Sequence, residues 1–267
     1  MKSTFPRAMS CLSVSEGGYV NHPKDPGKGT NRGVTQATYD AYRTKKHVAK
    51  RDIRLITDAE VADIYRTLYA DPIRYDDLPA GVDYATFDAA VNSGVSRGAK
   101  WLQSSLGVTS DGKVGDGTVA AAAKADAIKT VKAICSKRLS FLRGLGTFST
   151  FGKGWTSRVA RVEAEGVSMA MQARGISKAS LPIALSLESR RASEDSAVTN
   201  GVAKATGTAA TGSAASTAVS NLSDTQLILM AVAAAALAGL AVYLIHRSRI
   251  HRERAAAYAS LAEGASE

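Results

Sequence analysis

The chain has 267 residues, of which 45% are hydrophobic and 22% charged, which excludes a wholly disordered polymer and leaves room for one sizeable core with appendages. Its formal net charge of +10 favours anionic partners (nucleic acid, anionic lipid or cell-wall polymer) without choosing among them. Only Cys11 and Cys135 occur, with no CxxC and no Cys/His cluster at ligand spacing, which excludes a disulfide-dense scaffold and a thiolate metal site; both lie in apolar, helix-like contexts and read as buried free thiols.

The N-terminal stretch carries some positive charge but no continuous apolar run, so no cleavable secretory signal is expected. Residues 5–18 read as a first helix, with Phe5, Met9, Leu12 and Val14 among its apolar positions. A Gly/Pro/Asn-rich stretch follows, with a short hairpin expected around residues 20–34. Thr35 is placed to cap a helix beginning at Gln36. Thr57 and Glu60 carry a capping-box signature, and Val61, Ile64, Tyr65 and Leu68 recur at helical spacing after it.

Residues 83–107 read as one long helical segment with Phe87, Val91, Trp101 and Leu102 inward. Ser110 to Thr118 reads as a tight turn, with Thr118 capping the next helix. Residues 118–145 are Ala-rich and helical, and the helix from Thr156 is stopped by Gly175. No convincing run of alternating strand residues interrupts this mainly α pattern.

Composition then shifts sharply. Residues 186–225 are rich in Ala, Ser, Thr and Gly and lack aromatic side chains, which predicts a flexible linker. Leu227 to Ile245 carries no charge, and about 19 residues of helix span roughly 28 Å, close to the hydrocarbon thickness of a bilayer. A transmembrane helix is therefore expected over 226–246, followed by a basic and then polar tail over 247–267. By the positive-inside tendency, Arg247, Arg249, Arg252 and Arg254 are expected to keep that tail in the cytoplasm, with the N-terminal region on the other, periplasmic side of a bacterial inner membrane.

One block concentrates groups with chemical potential. Glu16 ends an apolar helix, Gly17-Gly18-Tyr19 follows, and Asp25 stands in a polar loop before Thr30 and Asn31. Glycosidic hydrolysis uses one carboxylic acid to protonate the leaving oxygen and commonly a second carboxylate as nucleophile or water activator. Glu16 has the apolar setting that raises an acid's pKa, and Asp25 the polar one that keeps it ionised. Asp25-Pro26-Gly27 is equally an ordinary turn signature. Thr30 or Asn31 could position a water, or simply form turns. Tyr19 could stack on a sugar or pack behind the loop. Asn92, in mid-helix, could face a saccharide cleft or hold the core by a hydrogen bond.

This block resembles the glycoside hydrolase 108 family of N-acetylmuramidases, found among phage endolysins and secretion-associated muramidases. The family's E-G-G-Y, D-P-G and T-N-x-G-[IV]-T elements stand at Glu16–Tyr19, Asp25–Gly27 and Thr30–Thr35. Asp88, Asn92, Trp101, Leu102, Gln103, Asp111, Gly112, Gly115 and Thr118 are similar to the peptidoglycan-binding region that accompanies it, as is Phe151–Val162. The resemblance implies a mainly α, lysozyme-like globule with a short β-hairpin after the first helix, then a disordered linker and one transmembrane helix. It implies a catalytic region over 1–83 and a peptidoglycan-binding helical region over 84–185 packed on it. Glu16, Asp25 and Thr30 become the expected catalytic residues, and Tyr19, Asn31 and Asn92 the expected substrate contacts.

The expected activity is hydrolysis of the β-1,4 bond between N-acetylmuramic acid and N-acetylglucosamine, with no cofactor and no metal. Peptidoglycan is the expected partner, with the lipid bilayer engaged through Leu227 to Ile245; no nucleic acid is expected, and the oligomeric state is left open. A non-catalytic, membrane-anchored peptidoglycan-binding protein and a secretion-associated, wall-remodelling muramidase are the alternatives.

Overall fold

The computed structural model describes residues 4–13, 19–20, 29–215 and 224–266. The described residues are overwhelmingly helical and divide into two compact units, Met1–Ile176 and Ser177–Glu267.

The first unit opens with α1 (Phe5–Ser13), followed by a small antiparallel hairpin of β1 (Thr30–Asn31) and β2 (Val34–Thr35). The positions after Ser13 in the expected first helix, Val14 among them, lie outside the described residues. α2 (Gln36–Lys45) starts where Thr35 accepts a hydrogen bond from the Thr38 amide, so the expected cap is present. α3 (Asp58–Tyr65) carries both halves of the Thr57–Glu60 capping box. A π turn over Arg66–Ala70 then breaks the α register. Val61, Ile64 and Tyr65 are buried as expected, whereas the extra residue in that turn carries Leu68 to the surface.

The expected long helix is two, α4 (Val82–Ser93) and α5 (Val95–Leu106). Gly94, at φ 89° and ψ 146°, separates them in a conformation that no L side chain adopts comfortably. Phe87, Trp101 and Leu102 are buried, and Val91 only partly so. α6 (Asp116–Lys124), α7 (Ala127–Arg143) and α8 (Phe148–Ala173) complete the unit, and Gly175 turns left-handed just past α8. Thr118 does not cap α6: Gly115 stands at that position, and the Thr118 hydroxyl is buried inside the helix, accepting from Gln103. α4 is the axis of this core, with α1, α5, α7 and α8 against it. Residues on both sides of the expected boundary at 83 therefore share one apolar interior. Cys11 is half-buried and Cys135 buried, and both are free thiols.

The second unit consists of α9 (Leu181–Ala215) and α10 (Asp224–Gly264), packed side by side. Here the structure departs from the expected linker over 186–225: residues 186–215 are helical, whereas 216–223 lie outside the described residues. Its alanines are strong helix formers, and its Ser and Thr hydroxyls bond back to carbonyls of the preceding turn, as Thr199 does to Asp195 and Thr206 to Val202. Leu185, Ala192, Ser196 and Ala203 recur at helical spacing and are buried. The expected tail over 247–267 is likewise helical as far as Gly264, with Tyr258 fully buried in this unit. Among the described residues, Ile228–Gly264 is the one helix long and apolar enough to cross a membrane.

Candidate active site

α1 is fixed from three sides, mainly through its first turn. Phe5 is buried edge-on against Tyr75 and Phe87, with ring centroids 5.5 and 5.6 Å away. The Arg66 guanidinium caps its other face at 4.4 Å. Arg7 reaches α8, donating to Glu165 at 2.9 Å, Ser168 at 3.1 Å and Gln172 at 3.0 Å. Leu12 is buried one residue before the helix ends. Glu16 and Asp25, the two expected catalytic carboxylates, lie outside the described residues.

The structure describes the segments that flank them in sequence. Val20 and Thr30 exchange both backbone hydrogen bonds at 2.8 Å. Thr30 pairs in turn with Thr35, and Asn31 with Val34. The two-residue turn joining these strands has Arg32 at φ 52° and Gly33 at φ 75°. Positive φ at both central positions is the type I′ geometry whose twist matches a hairpin. Arg32, which pays for that conformation with backbone strain, is held by Tyr65 donating to its carbonyl at 3.2 Å and by an ion pair with Asp58.

The expected substrate contacts fall in different places. Tyr19 is 44% exposed, yet its ring also lies over Gly29, where a Cβ would come within 3.1 Å of it, and Arg54 stands 5.9 Å from its centroid. It therefore packs behind the loop and remains open to solvent on its other side. Asn31 is half-buried and donates through Nδ2 to the Ile53 carbonyl at 3.2 Å, so it ties the hairpin to the segment after α2. Asn92 is exposed near the end of α4, its amide donating to the Asp88 carbonyl one turn back at 2.9 Å. It is thus neither buried nor a link between core elements, because the last turn of α4 leaves the core before Gly94. Tyr19, Thr30 and Asn31 are brought together; Asn92 belongs to a helix of the core.

Several groups that hold this frame escape sequence reading. Gln36 donates to the Arg51 carbonyl at 2.9 Å and accepts from the Ile53 amide at 2.7 Å, while its own amide donates to the Gly29 carbonyl at 3.0 Å. Glu60 does more than cap α3: it accepts from Tyr39 at 2.9 Å and from Arg43 and Arg51 at 2.6 Å each. Burial would raise its carboxyl, but the Thr57 amide, the Tyr39 and Thr57 hydroxyls and Arg51 outweigh this and hold it at about 2. The capping box signalled Glu60's local role; the cationic partners come from chain segments that no local pattern connects.

Deeper in the same unit, Asp88 on α4 accepts from Arg138 of α7 at 2.5 Å and from Arg158 of α8 at 2.9 Å. Burial alone would raise this carboxyl, but the two guanidiniums keep it below the ordinary range. Gln103, also buried, donates to Asp111 at 2.7 Å and to the Lys113 carbonyl at 3.0 Å, and accepts from the Gly112 amide at 2.9 Å. Both residues stand in the stretch that resembles a peptidoglycan-binding region. Here they act as internal ties, one clamping three helices and the other shaping the loop before α6.

A helical globule with a short hairpin between its first two helices fits a lysozyme-like glycosidase, and the comparisons with known proteins give that class. Residues 9–94 match the family model described as Glycosyl hydrolase 108. Among solved structures, the chain is similar to one described as the structure of Brucella abortus SagA, at 48% identity, covering 64% of this chain and 97% of that one, with a TM-score of 0.56. No curated protein matches. The chain belongs to the glycosyl hydrolase 108 family, and with it to peptidoglycan hydrolases of the muramidase kind.

Proposed function

We propose that this chain is an endolysin-like N-acetylmuramidase that cleaves the β-1,4 bond between N-acetylmuramic acid and N-acetylglucosamine and is anchored in the inner membrane through Leu227–Ile245. Glu16 is the general acid that protonates the leaving oxygen. Asp25 stabilises the developing oxocarbenium charge or helps to place water, and Thr30 orients that water. Tyr19 offers its open face to a sugar ring, and Asn31 and Asn92 offer amides to substrate hydroxyls and acetamido groups. Domain-wise, residues 1–83 supply the chemistry and 84–185 the wall-binding surface.

The observation that carries this reading is the Val20–Thr30 bridge. The bridge joins the residues that flank the segment bearing Asp25 in sequence, and Glu16 stands four residues before Val20. Two carboxylates nine residues apart in sequence, one after an apolar helix and one in a polar stretch, are the kind of pair that glycoside hydrolysis uses.

The test uses the full chain in detergent with purified peptidoglycan, measuring the release of reducing ends. Wild type is expected to release them with N-acetylmuramic acid at the new reducing terminus, and Glu16→Gln to lose 10²-fold or more, the usual range for a general acid. Binding without release by wild type would make this a non-catalytic wall-binding protein. Undiminished release by Glu16→Gln would assign the acid elsewhere.

A further inference from the structure

A single membrane span would put the N-terminal unit and the basic C-terminal segment on opposite faces of the bilayer. The pairing of α9 with α10 argues otherwise. Ser189 donates to the Ala255 carbonyl at 2.9 Å; Ser196 donates to the Ser248 carbonyl at 3.0 Å, and Ser248 returns a bond to the Ser196 carbonyl at 3.1 Å. Further along, Gly207 faces Ala241, with 3.9 Å between the Ala241 Cβ and a Cβ built on the glycine. These contacts fix one antiparallel register between residues 189–207 of α9 and 241–255 of α10. In that register the stretch of α9 from about Ala203 onward lies alongside the apolar stretch of α10 that ends at Ile245.

That part of α9 has the chemistry to follow its partner into lipid. From Ala205 to Ile245 the only acidic or basic residue is Asp224, which opens α10 at the far end of the pair. The hydroxyls of Thr206 and Thr208 donate to the carbonyls of Val202 and Lys204, at 2.8 and 3.0 Å, so they present no unmet donor to hydrocarbon. Ala203 and Ala241 are buried between the helices, where small side chains permit the close approach that drives helix association in membranes. The outward residues of α10, including Ile228, Leu229, Val232, Leu240 and Val242, are exposed apolar groups. Toward the opposite end of the pair stand Arg190 and Arg191 of α9 with Arg247, Arg249, Arg252 and Arg254 of α10, and Lys204 borders the uncharged stretch of α9.

We infer that α9 and α10 enter the bilayer together as a helical hairpin, with the N-terminal unit and the basic C-terminal segment on the same face. This rests on the membrane anchoring proposed above and goes beyond it in topology. The basic residues of both helices gather at one end, and their excess assigns that shared face to the cytoplasm. The hydrolase is then held on the side of the membrane away from the wall, and reaches its substrate when the bilayer opens or the hairpin leaves it.

The experiment uses the full chain, carrying different epitope tags at its two termini, expressed in Gram-negative cells that are converted to spheroplasts and treated with external protease. Both tags are expected to survive in intact spheroplasts and both to be lost once the membrane is permeabilised. Opposite fates for the two tags would overturn the hairpin while leaving a single-span anchor in place. Release of the full chain by alkaline carbonate would overturn the anchoring itself, and the hairpin with it. A second readout is the fragment that survives proteinase K in permeabilised membranes. The hairpin protects one piece reaching from about residue 205 to about 246, whereas protection beginning near residue 224 overturns it. Ala209→Arg, on the exposed side of α9, is expected to cut the yield of the longer fragment tenfold or more, since a charge there must enter lipid. An unchanged yield would place α9 in water and overturn the proposal.

Discussion

Gly81 and Gly166 meet backbone to backbone where the start of α4 crosses α8. A Cβ on Gly81 would fall inside the van der Waals shell of the Gly166 carbonyl oxygen, and Gly81 itself stands at φ 84°. Gly81→Ala is therefore expected to cost on the order of 3 kcal/mol or more, combining steric overlap with backbone strain. Gly166→Ala is expected to cost less, because its Cβ would meet a Val131 methyl at 3.0 Å that can shift. Thermal unfolding of the two variants, followed by circular dichroism, checks the order; equal midpoints would contradict it.

The clamp of Asp88 by Arg138 and Arg158 carries a second expectation. Asp88 and Arg138 are almost fully withdrawn from water. Removing the carboxylate takes the Asp88 charge away from the buried Arg138 guanidinium, so Asp88→Ala should lose about 3–5 kcal/mol of stability. Denaturant titration of the full chain measures this. A loss below about 1 kcal/mol would mean that water reaches the site and screens it.

Two carboxylates pull the pH dependence of stability in opposite directions. Burial pushes Asp83 from 3.8 up to about 6, against hydrogen bonds from Thr4 and the Tyr84 and Gly81 amides. The folded state then holds its proton more tightly than the unfolded one, so stability from this group falls as pH rises from about 4 to 6. Glu60, held at about 2 against an ordinary value of 4.5, contributes stability above about 4.5 that is lost as pH falls toward 2. Asp83→Asn keeps Oδ1 as acceptor for the Gly81 and Tyr84 amides and replaces the oxygen that accepts from Thr4 with an amide group that donates to the Thr4 hydroxyl instead. It should flatten the pH 4–6 limb and raise stability at pH 7 by on the order of 1–3 kcal/mol. Denaturant midpoints across pH 3–8 for wild type and variant test both signs; an unchanged pH 4–6 limb in Asp83→Asn would refute the assignment.

Gly29 offers a test of the loop frame separate from the carboxylates. It stands at φ 99° with the Tyr19 ring against it, so Gly29→Ala should displace Tyr19 and distort the closure at Thr30. We expect at least a tenfold fall in release of reducing ends from peptidoglycan with a modest shift in unfolding temperature, because few core contacts are involved. Full activity in this variant would show that the loop does not depend on this contact.

Much of the fold was legible in the sequence because it rests on short-range chemistry. Thr35 before Gln36, Thr57 with Glu60 three residues on, and Gly175 past a helix each act over a single turn. The short hairpin expected around residues 20–34 was signalled in the same way by the Gly/Pro/Asn-rich stretch before Thr35. The family was legible from Glu16–Thr35, since that order of carboxylates, glycines and turn residues is specific. The break at Gly94 was less visible, because one glycine within a helical pattern is tolerated and only the crossing of α4 with its neighbours decides whether the chain bends there.

By itself, then, the sequence determined the helical class, the family and the apolar stretch near the C-terminus. Those features follow from local propensity, periodicity and an ordered motif, none of which needs a distant partner. Only the tertiary structure decided that Asp88 is shared by Arg138 and Arg158, that Glu60 gathers Tyr39, Arg43 and Arg51, and that the Ala/Ser/Thr/Gly stretch forms a helix along α10. The physical reason is the same in each case. Charge pairing and helix packing depend on which faces meet in space, and the long-range register that brings Ser196 to Ser248 leaves no mark within any short window of the chain.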